Sequence, residues 1–171
     1  YPAEYMAAVL SNNMNDIKSV SFFMQECPRM GLKVLGPDVN ESYYKFAVNP
    51  KGEVRFGMGG MKGVGEGSVK SMIEHRKKDG PFVSMFDMVR RVSLKDCNKR
   101  VLESLAKGGG FDRFTSLHRA QYFAKDTKDR TLIEKALKYG QAYQQGKNSS
   151  QVSMFDMLGD GEGVEIPEPI A

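Results

Sequence analysis

The chain has 171 residues, 40% of them apolar, and carries 25 Lys or Arg against 21 Asp or Glu for a net charge of +4. That is enough for one domain of ordinary size or two small ones, and the lack of a long apolar run or basic leader argues against a signal peptide or membrane span. Beginning at Tyr1, it reads as a piece of a larger intracellular protein, and the isolated Cys27 and Cys97 read as buried thiols of a reducing compartment rather than as metal ligands.

In chain order, Pro2 suits a first helical position, and Ala3, Met6, Ala7 and Leu10 behind it predict a helix ending near Asn12-Asn13. Asp16 is placed to cap a second helix with Ile17, Val20, Met24 and Cys27 on one face, closed by Gly31. Pro28 in its last turn is expected to bend it or end it early. Lys33-Val34-Leu35 predicts a short strand. Residues 44–48 and 53–56 alternate around Asn49-Pro50-Lys51-Gly52, which predicts a β-hairpin.

The most informative stretch follows. Lys62-Gly63-Val64-Gly65-Glu66-Gly67-Ser68 runs into a segment where Val69, Met72 and Ile73 fall at i, i+3 and i+4, the spacing of a helix face. Gly-x-Gly lets the backbone turn sharply with no Cβ to keep a neighbour away. A tight turn feeding a helix N-terminus presents unpaired N–H groups and the positive end of a dipole, which suits a phosphate. Lys62, Lys70, Arg76, Lys77 and Lys78 surround the turn. A short apolar helix, a glycine hairpin and a helix ending in basic residues is the layout of a helix-hairpin-helix DNA-binding element. Mononucleotide sites are excluded, because neither Gly-x-Gly-x-x-Gly nor Gly-x-x-x-x-Gly-Lys-Ser/Thr occurs.

After Asp79-Gly80-Pro81, Ser84 and Asp87 have capping-box spacing before a short helix carrying Met85, Phe86 and Val89. Asn98 opens another helix, with Val101, Leu102, Leu105 and Ala106 inward and Lys99, Arg100 and Lys107 outward. It stops at Gly108-Gly109-Gly110, and Ser116-Leu117-His118-Arg119 reads as a fresh helix start. Helix, glycine turn and helix thus recur as a degenerate second copy. Two copies could grip the two strands of one duplex, or the second could be structural filler. Residues 126–143 read as a helix with a basic outer face, 144–150 as a linker, and Glu165-Ile166-Pro167-Glu168-Pro169 as extended or disordered. Gln151-Val152-Ser153-Met154-Phe155 puts adjacent Met and Phe in polar surroundings, which suits a hydrophobic pocket on a partner or a turn packing back on its own domain.

The charge is unevenly spread. Residues 51–113 hold 14 basic and 8 acidic groups, whereas residues 151–171 hold no basic and 5 acidic ones. A polyanion would dock around the hairpin and repel the C-terminal segment.

Tyr1-Pro2-Ala3-Glu4-Tyr5-Met6, Met30-Gly31-Leu32-Lys33-Val34-Leu35, Pro37-Asp38-Val39-Asn40, Lys62-Gly63-Val64-Gly65-Glu66-Gly67 and Asn98-Lys99-Arg100-Val101-Leu102-Glu103 occur in this order. Together they resemble the catalytic alpha subunit of bacterial replicative DNA polymerase III, from the end of its fingers domain through its tandem helix-hairpin-helix domain. Gln151 to Phe155 resembles that family's internal sliding-clamp-binding motif, with Gln151, Met154 and Phe155 as its contacts. Gly109 stands where the family carries a small alanine.

The resemblance implies a mainly α fold with a small antiparallel β-hairpin. Residues 1–42 would end the fingers domain, 43–125 form the tandem helix-hairpin-helix domain, 126–148 a helix and linker, and 149–171 the clamp-binding segment and acidic tail. It implies duplex DNA and the sliding clamp as partners within a cytoplasmic replisome. Lys62, Gly63, Val64, Gly65, Gly67, Lys70, Arg76, Lys99, Arg100 and Lys107 are the DNA-contact candidates. The parent polymerase would hold two Mg2+ ions on palm-domain aspartates that this segment lacks, so no cofactor and no nucleotidyl transfer are expected of the segment itself. Two other classes compete: the helix-hairpin-helix module of a repair ligase or nuclease, and a protein-interaction scaffold with a basic face.

Overall fold

The computed structural model describes residues 1–148, with side chains described as far as residue 146. Gln151–Phe155, the acidic segment and its prolines lie outside the described residues. Helix α1, Pro2–Asn12, opens with Pro2 in its first turn and buries Ala3, Met6, Ala7 and Leu10. In α2, Ile17–Arg29, the Asp16 carboxylate accepts the Lys18 N–H at 3.0 Å. Ile17, expected to face inward, is 79% exposed. Side chains lean toward a helix N-terminus, so that of the first residue projects beyond the helix end. Pro28 neither breaks nor shortens α2. So late in the helix it forgoes a single intrahelical bond, and the stop is made three residues on, where Gly31 takes φ +74° and Leu32 N–H bonds the Cys27 carbonyl at 2.8 Å.

Strands β1 (Val34–Leu35), β2 (Ala47–Val48) and β3 (Val54–Arg55) form a sheet in the order β1-β3-β2. The expected hairpin is β2–β3, antiparallel with Val48 opposite Val54, and β1 adds to it in parallel. The turn is held by Asn49, whose Oδ1 accepts the N–H groups of Lys51 and Glu53. Ala3, Met6, Ala7, Leu10, Val20, Cys27, Phe46 and Val54 make a first hydrophobic cluster between the helices and the sheet.

The second, larger cluster runs from Val39 to Tyr139. A 3-10 turn, Met58–Gly60, leads to α3 (Glu66–Asp79), then α4 (Met85–Arg91) and α5 (Lys99–Gly108). Leu102, Leu105, Met88 and Ile133 are fully buried here, each contributing about 1.5–3 kcal/mol by leaving water. Ser84 accepts the Asp87 N–H while Asp87 takes the Val83 N–H, so the predicted capping pair forms one residue out of register. Both cysteines are buried free thiols, and burial pushes Cys97 up to about 12.

Three expectations in the last third need correction. The helix expected from Ser116 is a single 3-10 turn, Arg119–Tyr122, because Lys125 pairs as an isolated β-bridge with Thr131 and draws the chain out of helical geometry. Residues 126–130 are a loop around Asp126, which accepts the N–H groups of Arg130 and Lys128; these hold its carboxyl well below the usual range. Helix α6, Leu132–Asn148, therefore starts later, capped reciprocally by Thr131 and Glu134, and it continues through Gln144–Asn148 where a linker was expected. Gln144 explains the extension: its amide donates to the Val89 and Val92 carbonyls at 2.9 Å each, closing the C-terminus of α4.

Candidate nucleic-acid interface

The first hairpin is built by two glycines with different tasks. Gly63 sits at φ +88°, and a Cβ there would meet the Arg100 side chain at 2.8 Å. Gly65 is ordinary extended backbone, φ −88° and ψ 167°, with only Ser68 Oγ within 4 Å of where a Cβ would stand. Between them Val64 turns inward and is 5% exposed, anchoring the turn in the core, while Gly65 after it is exposed. Gly65 is the N-cap of α3 and offers no side chain to it. By contrast α2, α4 and α5 are each closed by their own Asp16, Ser84 or Asn98. The amides of the exposed Glu66 and Gly67 are therefore left without a side-chain cap at the positive end of a 14-residue helix, while Ser68 behind them is buried.

The second hairpin lies beside the first. Gly109 takes φ +89° at the end of α5, so the glycine in place of alanine is demanded by the backbone. Gly108 packs directly against the Met61 methyl group, and Ser104 Oγ donates to the Lys62 carbonyl at 2.7 Å. The outward face of α5 thus fastens one hairpin to the other and leaves a shallow cleft of about 500 Å³ between Lys62, Arg100 and Lys107. Met61 and Ser104 were missed by sequence reasoning, although Arg100, Ser104 and Lys107 have the i, i+4, i+7 spacing of one helix face.

Of the charged candidates, Lys62, Lys70, Arg100 and Lys107 are exposed, and none has an ion pair within the described residues. Lys107 also lies 5.2 Å from the Phe123 ring. Lys99 points elsewhere: Glu134 takes its ammonium at 2.6 Å and raises its pKa. Arg76, near the far end of α3, donates to the Val39 carbonyl at 2.8 Å and covers the Tyr43 ring. Burial pulls its pKa down, against the nearby Tyr43, Asp38 and Glu41. Gly67 is in the first turn of α3, where a Cβ would lie 3.4 Å from the Asp96 carboxylate. At the second hairpin Asp112 is neutralised by Arg119, which also donates to the Lys107 carbonyl at 3.2 Å.

These hairpins are held in place by the loop Pro37–Asn40. Val39 N–H bonds the Gly110 carbonyl at 3.1 Å, and Asp38 takes the Arg113 Nε at 2.8 Å. Glu41 bridges Arg55 of β3 and Arg113, whose bonds outweigh partial burial and lower its pKa. Asn40 exchanges two hydrogen bonds with the backbone of Phe82. Among the described residues no group of His, Cys, Asp and Glu is arranged to hold a metal ion, and no helix is long and apolar enough to cross a membrane.

Comparison with known proteins agrees with this geometry. The chain is 41% identical over 170 residues to DNA polymerase III subunit alpha of Escherichia coli K12, a match covering 99% of the chain and 14% of that protein. The same subunit of Vibrio cholerae is 39% identical over 94% of the chain and 13% of its own length, and that of Pseudomonas aeruginosa 37% over 93% and 14%. The chain therefore spans about one seventh of the length of these relatives. The model of the helix-hairpin-helix motif family matches residues 31–122, more than half of the chain and all of both hairpins. The chain belongs to the helix-hairpin-helix motif family.

Proposed function

We propose that this chain is the non-catalytic segment of a replicative DNA polymerase that holds duplex DNA through backbone phosphates. The observation that carries it is the uncapped N-terminus of α3, entered through Gly63–Gly65 and flanked by the unpaired Lys62, Arg100 and Lys107. One phosphate would rest on the amides of residues 66 and 67, and the second hairpin would take the other strand. Contacts of this kind carry no sequence information, as a polymerase traversing every sequence requires. Residues 1–42 would close the fingers domain, 43–125 form the DNA-holding domain, 126–148 brace it, and 149–171 lead to the clamp. Template-directed synthesis, with Mg2+ on carboxylates elsewhere in the longer polypeptide, and a place in the cytoplasmic replisome are parts of the same reading. The repair-enzyme alternative is disfavoured because the relatives match upstream of the hairpins as well as through them.

Charge removal tests the duplex reading. Replacing Lys62, Arg100 and Lys107 together by alanine is expected to flatten the salt dependence of duplex binding by roughly 2–3 units, about 0.9 for each phosphate no longer neutralised. Arg76→Ala is expected to leave that slope unchanged and to lower the melting temperature instead, since Arg76 is spent on Val39 and Tyr43. A slope change from Arg76 alone would move the interface to the other end of α3.

The clamp reading has a separate test. The whole chain should bind purified sliding clamp, and the double variant Met154→Ala, Phe155→Ala should bind at least about tenfold more weakly, since two buried apolar side chains exceed 1.4 kcal/mol. Equal binding by both would remove Gln151–Phe155 from the clamp interface.

A further inference from the structure

A groove of about 660 Å³ lies between the sheet and the last turns of α3, at the opposite end of that helix from the hairpins. Its walls include Leu35, Ala47, Val48 and Pro50, and Tyr43 lines it while remaining 46% exposed. The two carboxylates at its edge are already used: Glu53 pairs with Lys33 at 3.0 Å, and Glu41 with Arg55 and Arg113. Lys51 and Lys77 line the groove with no carboxylate within 4 Å, while the Arg76 guanidinium, held by the Val39 carbonyl, lies 5.2 Å from the centre of the Tyr43 ring and is already part of that stack. A half-exposed aromatic ring over an apolar floor, with surplus cations on the rim, is the chemistry of a single-strand platform. Bases stack on the ring and phosphates meet the cations. A duplex cannot use it, because its bases are already stacked on one another.

We propose that this groove binds a short stretch of single-stranded nucleic acid, with Tyr43 as the stacking residue and Lys51 and Lys77 as the phosphate contacts. The proposal borrows from the functional reading above only the class of polymer. The two sites are separated by the length of α3, about 20 Å at 1.5 Å per residue. A polymer leaving the hairpins as duplex would thus find a second, chemically different surface for its unpaired part.

The test uses the whole chain and a labelled strand of about eight thymidylates, a length within the range such grooves cover, read by fluorescence anisotropy at low salt. Tyr43→Ala is expected to weaken binding at least about fivefold, while Tyr43→Phe, which keeps the ring, binds as the parent does. Lys51→Ala with Lys77→Ala is expected to flatten the single-strand salt slope by about 1.4 units. None of these changes should alter binding of a blunt duplex of about 12 base pairs, roughly one helical turn. Gly65→Leu should do the reverse, which separates failure of this proposal from failure of the duplex reading. Absence of thymidylate binding, equal affinity in Tyr43→Ala, or loss in Gly65→Leu alone would overturn the proposal. So would displacement of the thymidylates by a lower concentration of a peptide of residues 156–168, which would give the groove to an acidic segment of the chain. Tyr43→Ala also removes the ring that Arg76 covers, so a small fall in melting temperature is expected of it, and unchanged affinity of the same variant for the blunt duplex keeps the single-strand readout interpretable.

Discussion

Gly65→Leu is expected to lower affinity for duplex DNA at least tenfold, about 1.4 kcal/mol, while leaving the melting temperature within about 2 °C of the parent. Gly65 has φ −88°, which any residue adopts, and a Cβ there would meet nothing nearer than Ser68 Oγ at 3.9 Å. Leucine is a clearly poorer N-cap than glycine, but it also reduces the freedom of the unfolded chain by about 0.4–1 kcal/mol, and the two effects offset each other. Its side chain would stand over the open amides at the start of α3 and keep a phosphate at arm's length. Gly63→Ala would not be so clean a probe. At φ +88° it carries a backbone strain of about 1–2 kcal/mol and must displace Arg100, so stability and affinity would fall together. Isothermal titration with a duplex, alongside thermal unfolding, reads both quantities. Unchanged affinity in folded Gly65→Leu would take the first hairpin out of the interface.

The same pair of glycines shows how far the residues alone could be read. Gly-x-Gly ahead of an i, i+3, i+4 pattern announced a turn and a helix, and both are present. It could not say which glycine is demanded by the backbone and which only keeps space open, because that depends on Arg100, which reaches Gly63 from α5, 37 residues further on. For the same reason Lys99 and Arg100, neighbours on one exposed helix face, looked equivalent. One is tied to Glu134 of α6 and the other lies on the hairpin. Arg76 looked like a free cation for want of any sign that Val39 and Tyr43 would meet it.

Pro37-Asp38-Val39-Asn40 carried the family resemblance without an evident task. Its role is a set of long-range bonds: Val39 to Gly110, Asp38 to Arg113, Asn40 to Phe82. Together with Glu41, the loop joins β3 to both helices that bear hairpins. No local pattern encodes such a hub, since Gly110, Arg113 and Phe82 are each more than 35 residues from the loop residues they meet, and only the Glu41–Arg55 pair is nearer. Local caps were legible at Asp16, Ser84 and Asn98, each ahead of an apolar pattern, but not at Ser116. The Thr131-x-x-Glu134 box is equally local, but Asp126 offers an earlier start that masks it; Asp126 instead closes a loop on itself.

Helix α6 tests where the hairpin-bearing unit ends. The family model stops at residue 122, yet Ile133 and Ala136 are fully buried in the same cluster as Leu102 and Met88. The closest approach is at Gly140, where a Cβ would meet the Val89 carbonyl at 2.6 Å and the Val89 Cβ at 2.9 Å. Two helices this near cannot accept a side chain without separating. Gly140→Leu is therefore expected to cost more than about 3 kcal/mol and to lower the melting temperature by roughly 10 °C. Gly146, on the same helix, has nothing within 4 Å of a Cβ. Gly146→Ala is expected to stabilise by up to about 1 kcal/mol, the helix-propensity gain alone. Opposite signs from two glycines six residues apart are what a docked helix produces and a linker cannot. Small, equal effects would return residues 144–148 to the linker reading and end the braced unit at α5. A large loss at Gly140 with duplex affinity falling in step would show that α6, through α4 and α5, sets the spacing of the two hairpins.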